Sequence, residues 1–231
     1  GQWADKCFAI VRTDRRDKHK GISFMLIDMN APGVEVRPIT MISGTSPFCE
    51  TFLTDVRVPK KNLVGKEGQG WAIGKRLLQH ERTNISGGGN LALMMAQSLG
   101  DIAKKYCETA ADGRLTDNVL RDKIADFEIR WSSFLFTARR AIEESKAPGG
   151  VSEISSVLKK TGTKLAQERS ELLIEIRGLQ GLGWEGDGFS EGELEDVRTW
   201  LFGKAATIYG GSTEIQNNII AKRVLGMLDH A

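Results

Sequence analysis

Up to about residue 60, apolar side chains come in short runs broken by turn residues, at 7–12, 22–27, 34–37 and 50–54, with Pro32-Gly33 before the third. Short, turn-bounded runs of this kind predict strands. Past Val58-Pro59 and the glycines at 65, 68 and 70, the spacing changes. Apolar residues now recur three or four positions apart, as at Ile124, Phe127, Trp131, Phe134 and Leu135. That period predicts helices over 71–82, 91–111, 118–145, 152–177, 193–206 and 212–227. Asp112-Gly113 and Pro148-Gly-Gly150 are the credible breaks, and long helices with short connections imply a bundle. The pattern is that of an α+β chain, thin in sheet and rich in helix.

Composition narrows the function classes. A 231-residue chain that is 40% hydrophobic and 27% charged can bury a core as one large or two modest domains. Its net charge of +2, from 32 basic and 30 acidic residues, argues against nucleic-acid binding, and Asp14-Arg-Arg-Asp-Lys-His-Lys20 reads as a solvated loop. Cys7, Cys49 and Cys107 are odd in number and widely spaced, which supports neither a disulfide framework nor a zinc site and fits a reducing compartment. His19, His80 and His230 have no ligand spacing, so no metal is expected. No apolar run approaches the roughly 20 residues that span a bilayer. The chain opens at Gly1 without a start methionine, and four short strands make a thin sheet, so a fragment of a longer protein is expected.

Three stretches carry candidate chemistry. From Ile208 to Gly226 a glycine turn opens straight into a helical run. Gly210 and Gly211 let another molecule approach the backbone, Ser212 or Thr213 can cap the helix, and Glu214 favours its first turn. Unpaired amides there would suit an anion or a carbonyl, whereas a capped turn between two helices is the plainer reading of the residues alone. Gly181-Leu-Gly-Trp-Glu-Gly186 fits GxGxxG but follows a helix rather than a strand, so it reads as an interhelical loop and not as a dinucleotide fingerprint. In 78–90, the glycines at 87, 88 and 89 cost about 1 kcal/mol each relative to alanine within a helix, which implies that something packs closely on them. Glu81 and Arg82 come just before. A carboxylate at the rim of a closed pocket acts as a general base once desolvation raises its pKa, while a solvated Glu–Arg pair is the plainer alternative.

Taken in order, Pro32-Gly33-Val34, Phe52-Leu-Thr-Asp-Val-Arg-Val-Pro59, Asn62-Leu-Val-Gly-Lys-Glu-Gly-Gln-Gly-Trp71, Glu81-Arg82, Gly181-Leu-Gly183 and Tyr209-Gly-Gly-Ser-Thr-Glu-Ile215 resemble the acyl-CoA dehydrogenases over nearly the whole chain. The resemblance implies the C-terminal part of the family's middle β domain at 1–64, a partial β-barrel or sheet. An antiparallel α-helical bundle at 65–231 follows it. The family's N-terminal helical domain and early strands have no counterpart in the match.

The chemistry so implied is α,β-dehydrogenation of an acyl-CoA thioester, in which a carboxylate removes the α-proton while a hydride leaves the β-carbon for FAD. Many members carry the base after the tyrosine of a Tyr-Glu-Gly-Thr turn, but Gly210 follows Tyr209 here. Other members, including long-chain and branched-chain enzymes, place it before the arginine of the earlier helix, where this chain has Glu81. The resemblance therefore assigns Glu81 as the base, tilts the substrate towards longer or bulkier acyl groups, and gives the Gly210 amide to the thioester carbonyl. It puts Arg82 and Tyr209 at the substrate, and Ser212, Thr213 and Glu214 beside the flavin. Gly181 carries over near the FAD adenine although the family's glutamine does not align, and Arg114 stands in for the arginine that meets the FAD pyrophosphate across a subunit boundary.

Expected partners are an acyl-CoA, an electron-transfer flavoprotein and further subunits in a homo- or hetero-tetramer, in the cytoplasm or, if eukaryotic, the mitochondrial matrix. Apolar faces at 91–95 and 215–225 would suit packing between subunits. Three alternatives remain: a catalytically silent subunit of a hetero-oligomer, a related flavin monooxygenase or oxidase that needs no base at Glu81, and a structural domain without turnover.

Overall fold

The computed structural model describes residues 1–86, 97–145 and 154–228 and divides into a unit Gly1–Arg82, which holds the strands and most of the first helix, and a helical unit Thr83–Ala231. Strand β1 (Lys6–Arg12) alternates exposed and half-buried positions, as a period of two requires. It pairs antiparallel with β2 (Ile22–Asp28), Lys6 opposite Asp28 and Arg12 opposite Ile22. Strand β3 (Val34–Ile39) pairs antiparallel with β4 (Phe48–Leu53), and β5 (Leu63–Val64) adds to the free edge of β2. The result is two small open sheets, with no closed barrel among the described residues. β3 runs through Pro38 because each strand of a two-stranded sheet has one side without a ladder to break.

The first helix, α1 (Gly70–Ser86), starts against β2. A Cβ on Gly70 would lie 2.4 Å from the Ser23 carbonyl carbon, so only glycine allows this approach. Ser23 is fully buried, its hydroxyl 2.8 Å from that of Thr13 and accepting from the Gly68 N–H at 3.0 Å. This close joint explains the glycine cluster before the helix.

In the second unit α2 (Leu99–Tyr106) is capped by the Ser98 hydroxyl, which accepts from the Gly100 N–H. Of the expected helix at 91–111, residues 91–96 lie outside the described residues. Its end comes early because the backbone turns over at Gly113, with a bridge from Thr109 to Leu115 and Ala110 N–H bonded to the Arg114 carbonyl. Helix α3 (Asn118–Ser145) keeps its expected bounds, and α4 (Ser155–Arg177) follows. The break at 148–150 and the glycines at 87–89 also fall outside the described residues. Helix α5 (Glu191–Gly203) starts two residues before the expected 193 because Ser190 and Glu193 form a reciprocal capping box. The helix expected over 212–227 is shorter: α6 (Thr213–Ile219) passes into a π turn at Ile220–Val224.

Lys123 pairs with Glu175, Arg130 with Glu168, and the Phe134 ring lies against Gly162, so partner numbers fall along α4 as they rise along α3. The two helices are antiparallel. Their apolar stripes, Ile124, Phe127, Trp131 and Phe134 facing Leu158, Leu165 and Leu172, form the core together with Leu99 and Ile102 of α2. Full burial of each such side chain contributes about 1.5–3 kcal/mol. At the far end of α4, Arg177 bonds Asp196, lies 3.8 Å from Glu193, and stacks its guanidinium over Tyr106. This joins α2, α4 and α5. All three cysteines are free, no metal-holding group of His, Cys, Asp and Glu exists among the described residues, and no described helix is long and apolar enough to cross a membrane.

Candidate active site

The Gly210–Gly211 turn is built by the residues on either side of it. After α5, a 3-10 turn at Lys204–Thr207 ends with the Ile208 and Tyr209 N–H groups bonded back to the Ala205 carbonyl. The chain then reverses through Gly210 and Gly211, with φ of +66° and +97°, a region that glycine alone enters freely. Ser212 caps α6 by accepting from the Ile215 N–H at 3.5 Å. A hydrogen bond from the Ser212 hydroxyl, with the backbone N–H of Glu214 itself, holds the Glu214 carboxyl below the usual carboxylate range.

Two side chains that sequence reasoning missed anchor this turn from behind. Lys159, on the first turns of α4, is only 8% exposed, and its ammonium donates to the Gly211 carbonyl at 2.6 Å. Burial pushes its pKa down, and no carboxylate pairs with it among the described residues. Gln216, also buried, folds its amide back to the Gly210 and Gly211 carbonyls at 3.3 and 3.4 Å. Both carbonyls are thus engaged by the protein. Among the described residues the N–H groups of Gly210 and Gly211 make no hydrogen bond, and Gly210 is exposed. Carbonyls held inward and amides left open are what a preorganised donor to a ligand oxygen needs. No sequence signal marks Lys159, a charged residue beside Leu158 on a helix. Gln216 sits four residues after the cap, a spacing that brings a side chain back over the helix start.

The second unit therefore gathers Tyr209, Gly210, Ser212, Thr213 and Glu214 on one turn, with Tyr209 45% exposed. It does not bring Gly181 to them. Gly181 lies just past the other end of α4 from Lys159, and 18 residues of helix separate Lys159 from Arg177, roughly 27 Å at 1.5 Å per residue. Gly181 is buried, and a Cβ there would lie 2.7 Å from the Ile174 carbonyl oxygen. Beside it, the Gln180 side-chain oxygen is buried with no hydrogen-bond partner among the described residues, as is the Trp200 indole N–H on α5. Arg114 is exposed in the Gly113 turn and pairs with Asp112 at 3.2 Å. Glu81 belongs to the other unit, on α1, with its side chain exposed, while the Arg82 side chain lies outside the described residues.

Fold and turn define the class, and sequence comparison gives the same result: residues 68–225 match the family "Acyl-CoA dehydrogenase, C-terminal domain". The chain belongs to the acyl-CoA dehydrogenase family, whose members are flavoproteins. It is similar to acyl-CoA dehydrogenase IpdE1 of Mycolicibacterium smegmatis, 33% identical over 229 residues, which cover 97% of this chain and 54% of that protein. Among solved structures it is similar to the Tcur3481-Tcur3483 steroid ACAD, with a TM-score of 0.78 and 26% identity over 99% of this chain and 58% of that one. The ChsE4-ChsE5 complex from Mycobacterium tuberculosis is comparable, with a TM-score of 0.76 and 25% identity over 100% of this chain and 59% of that one. The chain spans about half the length of the curated relatives it matches.

Proposed function

We propose that the protein to which this chain belongs is an FAD-dependent acyl-CoA dehydrogenase in which Glu81 is the base and the Gly210 turn holds the thioester. The observation that carries the reading is the turn itself, with both carbonyls engaged by Lys159 and Gln216 and both amides open. The Gly210 N–H donates to the thioester carbonyl, which acidifies the α-proton and stabilises the negative charge that develops on the oxygen. Glu81 takes that proton. Its side chain is exposed in this chain and so open to a substrate. Bound FAD supplies the acceptor for the β-hydride, and the electrons pass on to an electron-transfer flavoprotein.

The family resemblance of Gly181 assigns the far end of α4 to the adenine end of FAD: there the Gln180 oxygen, without a partner among the described residues, is an acceptor that an amino group would satisfy once the side chain turns outward, while Gly181 itself is packed against the Ile174 carbonyl. Their separation from the Gly210 turn supports a flavin site completed by a second subunit, within the homo- or hetero-tetramer that the family resemblance implies. Exposed Ile215 and Leu225 offer apolar surface for such contacts. For the substrate we favour a bulky acyl group, steroid-linked by analogy with the steroid ACAD. The ion pair that occupies Arg114 favours one second reading, a hetero-oligomer in which the partner supplies the pyrophosphate contact.

The full-length protein and its Glu81→Gln variant, mixed anaerobically with straight, branched and steroid-linked acyl-CoAs, test this through the visible flavin absorbance. Bleaching that the variant loses is the expected result. A flavin-loaded parent that no acyl-CoA bleaches, alone or co-expressed with a partner subunit, would refute the dehydrogenase.

A further inference from the structure

Lys159 is 8% exposed and has no counter-ion among the described residues, a costly placement that needs a reason beyond packing. Lys159 directs its charge at one backbone carbonyl, that of Gly211, 52 residues later in the chain. One turn further along the same helix face, the Thr163 hydroxyl bonds to the Lys159 carbonyl at 2.8 Å and leaves the ammonium to the glycine turn. The contact is shorter than an ordinary N–H···O bond, as a charge-assisted bond should be.

We propose that Lys159 is a positioning residue for the reaction: its ammonium pins the carbonyl at the far end of the glycine turn, in the Gly211–Ser212 peptide, while Gln216 holds the intervening Gly210 carbonyl, and together they restrict the turn whose near end carries the Gly210 N–H to the thioester oxygen. The inference rests on the reading of Gly210 as that donor. Gln216 alone is a weak substitute, because its two bonds at 3.3 and 3.4 Å are long and shared from one amide nitrogen. Without the lysine, two consecutive glycines at positive φ have many other conformations open to them, and the donor is no longer preorganised. Lys159 touches neither substrate nor flavin in this scheme; it acts through the turn.

The test compares full-length, flavin-loaded parent, Lys159→Met, Lys159→Gln and Lys159→Arg in two readouts. Amide hydrogen exchange of the bonded N–H groups that flank the turn, Ile208 and Tyr209 on the Ala205 carbonyl and Gln216 on the Ser212 carbonyl, reports its integrity, with a peptide from the Phe127–Trp131 core as internal reference. Lys159→Met should raise exchange in the turn by at least about tenfold, the worth of one charge-assisted bond, and leave the core peptide unchanged. Steady-state turnover of the best acyl-CoA should show kcat down by at least about tenfold with KM changed less than about threefold, because the lost interaction matters chiefly in the transition state. Lys159→Arg should recover most of both, and Lys159→Gln less. Unchanged exchange in the turn overturns the proposal. So does exchange that rises equally in the core, or freed exchange without loss of kcat. Should Lys159→Met not fold, the Arg and Gln variants carry the comparison. If no acyl-CoA reduces the parent flavin, the dehydrogenase reading fails, and the exchange data decide the role of Lys159 in the turn independently.

Discussion

Replacing Gly211 with alanine separates the two things the turn requires, an unusual backbone angle and space. At φ +97° an L-residue is strained by about 1–3 kcal/mol. The new Cβ would also lie 2.5 Å from the Gln216 amide nitrogen and displace the side chain that braces both glycine carbonyls, which costs about 1 kcal/mol more. Gly211→Ala should therefore destabilise the protein by about 2–4 kcal/mol in total. For a unit of this size that lowers Tm by roughly 5–15 °C. Two controls isolate the contributions. Gly113, at φ +78° with nothing within 4 Å of where a Cβ would lie, carries strain alone, and its alanine variant should lose about 1–2 kcal/mol. Gly188 has neither constraint, and Gly188→Ala should leave Tm within experimental scatter. Thermal unfolding followed by circular dichroism gives the three shifts, and stopped-flow flavin reduction should show roughly a hundredfold loss in Gly211→Ala alone, since a displacement of about 1 Å at the donor has that consequence. Equal losses in Gly211→Ala and Gly113→Ala would refute the bracing role of Gln216, and an undiminished rate would remove the turn from the mechanism.

Two further outcomes test the scaffold. Phe127, 2% exposed and stacked on Trp131, should cost about 3–5 kcal/mol when truncated to alanine, read from the denaturant midpoint. A smaller loss would mean that α3 and α4 repack around the cavity. Stability should also fall on acidification because of Glu193, whose carboxyl is held below its usual range chiefly by the Ser190 backbone N–H. The unfolded chain then takes up a proton that the folded chain refuses, so the contribution is present above the ordinary glutamate value and lost as pH falls below about 4 through the lowered one. Glu193→Gln should flatten this acid limb in denaturation curves taken across pH, and an unchanged limb would assign it to other carboxylates.

How much of this was legible in the sequence depends on the range of the interaction involved. The α3 stripe from Ile124 to Phe134 could be read directly, because a 3.6-residue period is local and the helix that it predicts is the one that packs. The end of α2 could not. Its apolar and helix-favouring residues continue to Ala111, but pairing between Thr109 and Leu115 around Gly113 takes the backbone away, a choice that rests on hydrogen bonds between residues up to eight apart. The start of α5 is hidden for the opposite reason: Ser190 and Glu193 spell a capping box, a signal that an apolar-period search passes over.

The glycine turn shows the same division within one site. Gly210, Gly211 and Ser212 announce a reversal followed by a helix, and that much is local chemistry. What makes the turn a donor rather than a loop comes from Lys159, on another helix and hidden among residues that read as an ordinary polar face. A lysine there looks solvated in sequence because lysines usually are. Only the fold reveals that this one is buried, with no carboxylate paired to it among the described residues. An unneutralised buried charge is costly, and its hydrogen-bond partner among the described residues is a carbonyl of the same glycine turn that carries the proposed donor. The residue that sequence reading had most reason to pass over is thus the one whose cost most needs the turn to have a function.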